Sequence, residues 1–330
     1  MRQTRIFDKP PVILGYATIA GPKEGEGPLA EYFDKVLNNL YYYEDTWEKA
    51  EQKMLLEACE LTLKKANVKK EEVDYFLAGD LLNQIISANF VAKALSIPFF
   101  GLYNACATFY EGLILGSMLI AGGLAEKVLV GVSSHYATAE RQYRNPTEQG
   151  VQKTPTAQWT VTGAAAVLLG AGEGQLKIPR ITTGKALDYG LKDPMDMGGA
   201  MAPAAYETLI THFKETGFNY DYYDLIATGD LASFGSQVLA KLLEDRGINF
   251  GLKLTDCGTL IFRPEQEVNA GGSGAACSAL VTVGYVFDQL LRGKITKFLG
   301  IGTGALLSQV TSQQGMTIPV IAHAAAIEVY

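Results

Sequence analysis

DYFLAGD at residues 74–80 and DLIATGD at residues 224–230 read as one short apolar strand closed by Gly-Asp, written twice at an offset of 150. Two further pairs follow in the same order. KVLVGVS at residues 127–133 returns as KFLGIGT at 297–303, an offset of 170, each after a small-residue-rich helical run that ends in Gly123 or Gly293. GAAAV at 163–167 returns as HAAAI at 323–327, an offset of 160. Offsets that drift only by loop length while the order is kept indicate an ancient duplication. The chain therefore divides into an N-terminal half, residues 1–172, and a C-terminal half, residues 173–330.

Within each half, short apolar strands alternate with helical patterns, which predicts parallel strands joined by crossover helices, an α/β fold. The first half predicts a strand over 12–20, a helix over 47–66, a strand beginning at Val73, helices over 87–95 and 105–120, and strands near Val128 and Ala164. The second half echoes it with elements beginning near Ile178, Pro203, Leu225, Phe234, Ser273, Lys297 and Thr317. The helices starting at Cys106 and Ser273 are rich in Ala, Gly and Ser, so neighbouring layers can approach closely, and both are expected between two sheets. Residues 21–46 and 134–158 have no repeat partner. The first insertion reads as a surface loop or a dimer contact, and part of the second as a pocket wall.

Composition narrows the function. At 330 residues, 48% apolar and 19% charged, the chain can bury a large core unaided. With 28 basic against 35 acidic residues and a net charge of -7, it offers no positive field for a phosphate backbone, so nucleic acid is not an expected partner. Cys59, Cys106, Cys257 and Cys277 show neither a metal-type spacing nor a disulfide framework. The apolar stretch 97–123 is long enough to span a membrane, but Pro98, Gly101, Asn104 and Glu111 interrupt it, and it reads as a helix buried inside a large protein. No export signal is expected from the first residues, which lack an apolar run.

Cys106 starts the central apolar helix, where the positive end of the helix dipole favours a thiolate or a bound anion; the alternative is a small core residue. Ligands of doubly wound sheets gather at the carboxyl ends of strands, where Asp80 and Asp230 stand. Each of these aspartates either faces the cleft or caps the helix that follows it. NACATFYEGLILGSMLIAGG followed by KVLVGVSS resembles the nucleophile helix and next strand of thiolases and ketoacyl-synthase condensing enzymes. The resemblance implies a thiolase fold, two similar βαβ halves in a five-layered αβαβα sandwich, with Cys106 on the acylated cysteine. It also implies second-half partners, a histidine with an asparagine or a second histidine. Here the corresponding turns read TGDLAS at 228–233 and NAGGSG at 269–274, with Asn269 as a weak substitute. A cysteine without those partners has little with which to stabilise a reacting carbonyl, so catalysis is expected to be lost.

A narrower resemblance covers essentially the whole chain. IFDKPPVILGYATIAGPKEGEGPLAEYFD, AGDLLNQ, YNACATFYEG, SSHYATAERQYRNPTEQG and LDYGLKDPMDMGGAMAPAA are similar to the stage V sporulation protein AD family of endospore-forming bacteria. That resemblance implies a non-catalytic protein that binds dipicolinic acid, pyridine-2,6-dicarboxylate, for uptake into the forespore and release at germination. It implies membrane proteins of the same sporulation set as partners, a peripheral place at the spore inner membrane, and a homodimer. A flat dianion needs an apolar pocket with a few directed donors. The candidates are Cys106 and Asn104 at the helix start, the Gly271 and Gly272 N–H groups, His135, and the insertion cations Arg141 and Arg144. Asp80 and Asp230 would repel the free dianion but suit its calcium chelate, so calcium entering with the ligand stays open, with no resident metal or cofactor expected. His212 reads as an exposed helix position and His323 as a strand residue of the core. The rival reading is an active Cys-dependent condensing or acyl-transfer enzyme of the ketoacyl-synthase III type.

Overall fold

The computed structural model describes residues 2–143 and 154–329. Its strands in chain order are β1 (Thr4–Ile6), β2 (Val12–Ala20), β3 (Lys35–Val36), β4 (Tyr75–Gly79), β5 (Phe99–Gly101), β6 (Lys127–Ser134) and β7 (Trp159–Thr160), then β8 (Gly163–Gly170), β9 (Leu176–Thr182), β10 (Leu225–Thr228), β11 (Leu254–Asp256), β12 (Gly272–Ser273), β13 (Lys297–Ala305) and β14 (Val320–Val329). The main path runs β11-β10-β13-β14-β9-β2-β8-β6-β4-β5, with β1 on β9 and β3 on β2; β12 and β7 form a separate pair. The path repeats itself outward from its middle, where β9 meets β2 at the single pair Val12 and Lys177.

All three repeat pairs fall on strands, β4 with β10, β6 with β13, and β8 with β14. Asp74 accepts from the Glu126 and Lys127 N–H groups, and Asp224 accepts from those of Thr296 and Lys297. One carboxylate thus anchors the start of the neighbouring strand in each half. The last pair needs a correction of two residues: Val132 of β6 faces Ala165, while its counterpart Gly302 of β13 faces His323. His323 therefore answers to Ala165 rather than Gly163, and a shift of two leaves every side chain on its original face. The expectation of parallel strands holds for β5, β4 and β6 and for β11, β10 and β13. It fails for β8 and β14, which run antiparallel to β6 and β13 and pair directly beside them.

Three apolar cores separate five layers. One lies between the Trp47–Ala66 and Ile86–Leu95 helices and the first-half strands. Another lies between the second-half strands and the Met197–Thr216 and Ala232–Glu244 helices. The largest surrounds the central helices Thr108–Ala121 and Ala275–Leu280. Trp47–Ala66 forms where its pattern predicts: Thr46 caps the Lys49 N–H, Lys64 and Lys65 close the last turn, and Asn67 ends it in the left-handed region. Its buried stripe of Ala50, Met54, Ala58 and Leu63 lies on the sheet. The central helix needs its small residues, since a Cβ on Gly116 would lie 2.8 Å from Leu169 of β8. The 97–123 stretch resolves into β5 and the Thr108–Ala121 helix, and among the described residues no helix is long and apolar enough to cross a membrane. Pro203 is expected near a helix start, yet lies inside Met197–Thr216, which begins at the Asp196 cap. Burial of Ala200, Met201, Ala204 and Leu209 outweighs the one lost bond.

Candidate functional site

The residues before the central helix bring Cys106 to the boundary between the halves. Asn104 precedes a 3-10 turn, Ala105–Ala107, in which Ala105 takes a positive φ of 50°. Thr108 closes the turn, its hydroxyl donating 2.6 Å to the Ala105 carbonyl. Cys106 lines a largely apolar cavity of about 40 Å³ with Leu81, Tyr143, Met197, Gly274 and Leu307 among its walls. That volume holds a few water molecules and no six-membered ring.

Asp230 stands behind this wall. It follows β10, as the TGDLAS turn predicts, and its carboxyl bonds the Cys106 side chain, the Thr303 hydroxyl at 2.6 Å and the Gly274 N–H at 3.2 Å. Burial pushes its acid up to about 7 against those three bonds. A carboxylate bonded to the sulfur opposes a second negative charge there. Gly274 is at φ 108°, and a Cβ on it would lie 3.0 Å from Ser134 Oγ, so this position takes glycine for both conformation and space.

His323 meets Asn104 on the other side of the helix start. Its Nδ1 accepts from the Gly184 N–H at 3.1 Å, and its Nε2 lies 2.8 Å from the Asn104 amide. Burial lowers its acid to about 4, so the ring is neutral. With Nδ1 accepting, the ring proton sits on Nε2, which assigns the Asn104 amide the orientation that turns its oxygen, rather than the Nδ2 placed there, toward the ring. Both ring nitrogens are thereby engaged.

The remaining candidates fall elsewhere. Asp80 accepts from the Leu82 and Ala88 N–H groups at 2.8 Å each and caps the Ile86–Leu95 helix, the second of its two readings. His135 is fully buried, with Nε2 on the Leu40 carbonyl and Nδ1 on the Ala137 N–H, so it pins the first insertion instead of lining the cavity. The Gly271 N–H is taken by the Val268 carbonyl, and Gly272 belongs to β12, facing Ile261 and Phe262. Asn269 is exposed in a left-handed turn. Arg141 pairs with Glu48 and lies over Trp47. Arg144 lies outside the described residues. His212, expected on the surface, is buried between Thr182 and Tyr223. Sequence reasoning missed Gly274, Thr303 and Tyr143; of these, Thr303 carried a signal, closing the repeated KFLGIGT strand.

A helix-start cysteine held between two similar halves of a layered sheet is the arrangement of thiolase-like proteins. The chain superposes on 3-oxoacyl-[acyl-carrier-protein] synthase III from Aquifex aeolicus with a TM-score of 0.61 at 16% identity, covering 96% of this chain and 99% of that one. It also superposes on cerulenin-bound OleA from Xanthomonas campestris with a TM-score of 0.62 at 15% identity, covering 98% of each. These likenesses establish the fold. Residues 1–328 match the Stage V sporulation protein AD (SpoVAD) family. The chain is 46% identical over 327 residues to the stage V sporulation protein AD of Bacillus subtilis (strain 168), spanning 99% of this chain and 97% of that protein. The chain belongs to the stage V sporulation protein AD family.

Proposed function

We propose that this sporulation protein is a non-catalytic member of the thiolase-like fold that binds dipicolinic acid at the Cys106 cavity, for uptake into the forespore and release at germination. One observation carries the reading: the turn from which a condensing enzyme presents a neutral partner supplies the buried Asp230, bonded to Cys106. A carboxyl at the sulfur neither takes part in carbonyl stabilisation nor favours a thiolate. Membrane proteins of the same sporulation set would hold the chain at the spore inner membrane. A homodimer would join through the β5 side of the sheet path, where Phe100 is 53% exposed. Calcium would enter only with the ligand; among the described residues no cluster of His, Cys, Asp and Glu is arranged to hold a metal ion.

The second reading, a Cys-dependent condensing or acyl-transfer enzyme, draws on the retained Cys106 beside the Asn104 and His323 pair. Equilibrium titration with dipicolinate, with and without calcium, separates the two, together with mass spectrometry after incubation with acyl-CoA. Saturable binding without turnover supports the binder. An acyl adduct on Cys106 that turns over supports the enzyme.

A further inference from the structure

Two elements meet over the cavity. The turn at residues 81–85 brings Leu81 to its wall, and the Tyr136–Tyr143 helix brings Tyr143. Three bonds tie them: the Gln142 side chain donates 2.9 Å to the Leu81 carbonyl and accepts 3.0 Å from the Asn83 N–H, and the Tyr143 hydroxyl also donates to the Leu81 carbonyl. The turn is strained, since Gln84 and Ile85 have consecutive positive φ values of 59° and 47°, unfavourable above all for a β-branched residue. Beneath the junction lie two buried carboxyls. Asp80 holds the turn through Leu82 and Ala88. Glu51 holds the other element through the Thr138 hydroxyl at 2.9 Å, and is itself fixed by the Ser133 hydroxyl of β6 at 3.1 Å.

We propose that this junction is a clasp gating the cavity, which opens by parting the turn from the helix, and that the Glu51 and Asp80 pair seated beneath sets whether it is closed. The proposal rests on the Cys106 cavity being the binding site, and it supplies what that reading requires, because small-molecule sites run to about 300 Å³ or more. The strain at Gln84 and Ile85 is relieved on opening. Burial raises both acids, and the charge of Asp80 raises Glu51 further. Asp80 anchors the turn and Glu51 the helix, so as pH rises above the ordinary carboxylate range the second charge sets two like charges against each other across the junction. The neighbouring ionisable groups on the packed elements do not share this role. Glu48 pairs with Arg141, Lys49 with Asp45 and Lys53 with Glu44. His135 is held neutral by burial, and Glu140 lies buried on the clasp helix itself.

The test uses the full chain without ligand. The first measurement is the rate at which a small methanethiosulfonate labels Cys106, read by peptide mass spectrometry at one pH. Gln142→Ala removes two of the three ties and should label Cys106 about thirtyfold faster, the factor for two hydrogen bonds of ordinary net strength. Cys59, buried in the outer core, is the control. An unchanged Cys106 rate, or equal acceleration of Cys59, overturns the clasp. The second measurement is tryptophan emission against pH, since both tryptophans of the chain touch the clasp helix, Trp159 stacked 3.9 Å from Tyr136 and Trp47 under Arg141. The wild type should show a transition as pH rises, and Glu51→Gln should abolish it. A transition that persists in Glu51→Gln, or none in the wild type, overturns the role of the pair. None of these readouts uses dipicolinate, so failure of the binding reading leaves them standing, and a binder without a clasp fails here alone.

Discussion

On the proposed dipicolinate reading, Asp230, bonded to Cys106 behind the cavity wall, sets what the cavity would accept. Its acid is raised to about 7 by burial, so it is neutral in mildly acidic solution and charged in alkaline solution. Free dipicolinate is a dianion, and its affinity should fall roughly tenfold as pH rises through that value, from one adjacent like charge partly screened by the protein. Asp230→Asn should flatten the profile in isothermal titration. If the calcium chelate is the true ligand, the slope reverses sign, because an ionised carboxylate then meets a cation. Cys106 acts through space and position: Cys106→Ser should keep affinity within about threefold, whereas Cys106→Leu fills a 40 Å³ cavity and should abolish binding. Equal losses in a paired titration would mean the sulfur itself is needed. The cysteine was legible in the sequence because it opens a conspicuous apolar helix, and Asp230 because it closes a repeated strand. Gly274 was not, since it meets Asp230 only after the chain has crossed between elements.

The duplication makes a prediction at the scale of strands. Asp74 and Asp224 each anchor the N–H groups that start the adjacent strand, and each is exposed. Asp74→Ala and Asp224→Ala should each cost about 1 kcal/mol in chemical denaturation. The double variant should show the sum, because the two sites share no partner. Non-additivity would mean that the two halves communicate through these turns. Element types and most starts were legible where local pattern and packing agree, as in Trp47–Ala66 with its Thr46 cap. They were illegible where tertiary context overrides a local rule. Pro203 sits inside a helix whose burial outweighs its lost bond, the antiparallel course of β8 is set by its pairing with β6 and β2 and by nothing in its own apolar sequence, and His212 is buried because Thr182 and Tyr223 satisfy both its nitrogens.

Across the molecule, buried ionisable groups set opposing limits on stability. His135, His212 and His323 are lowered by burial from 6.5 to about 4, 3 and 4. A lowered histidine contributes stability that is complete above its unfolded value and is lost as pH falls through the folded one. Glu24, Glu51, Asp80, Asp230 and Asp256 are raised by burial to about 7, 8, 6, 7 and 6. A raised carboxyl contributes stability that is complete below its unfolded value and is lost as pH rises through the folded one. Between about 4.5 and 6 the five carboxyls outweigh the three histidines, so the thermal midpoint should decline gently there, fall more steeply from about 6.5 to 8 once the histidine contribution is complete, level off above that, and fall in stronger acid as the histidines protonate. Glu24 should account for a large share of the fall above about 6.5. It is 1% exposed, its Oε1 accepts from the Thr162 N–H at 2.9 Å, and its Oε2 is buried without a partner, so its charge gains little on folding. A rise from 4.5 to about 7 corresponds to on the order of 3 kcal/mol of stability lost once the group ionises. Glu24→Gln keeps the acceptor for Thr162 and removes the titration, so calorimetry on this variant should show a lower midpoint in mild acid and a shallower fall above about 6.5. An alkaline limb as steep as in the wild type would place the cost on Glu51, Asp80, Asp230 and Asp256 instead, and would mean that the first insertion opens to hydrate Glu24 before the cores yield.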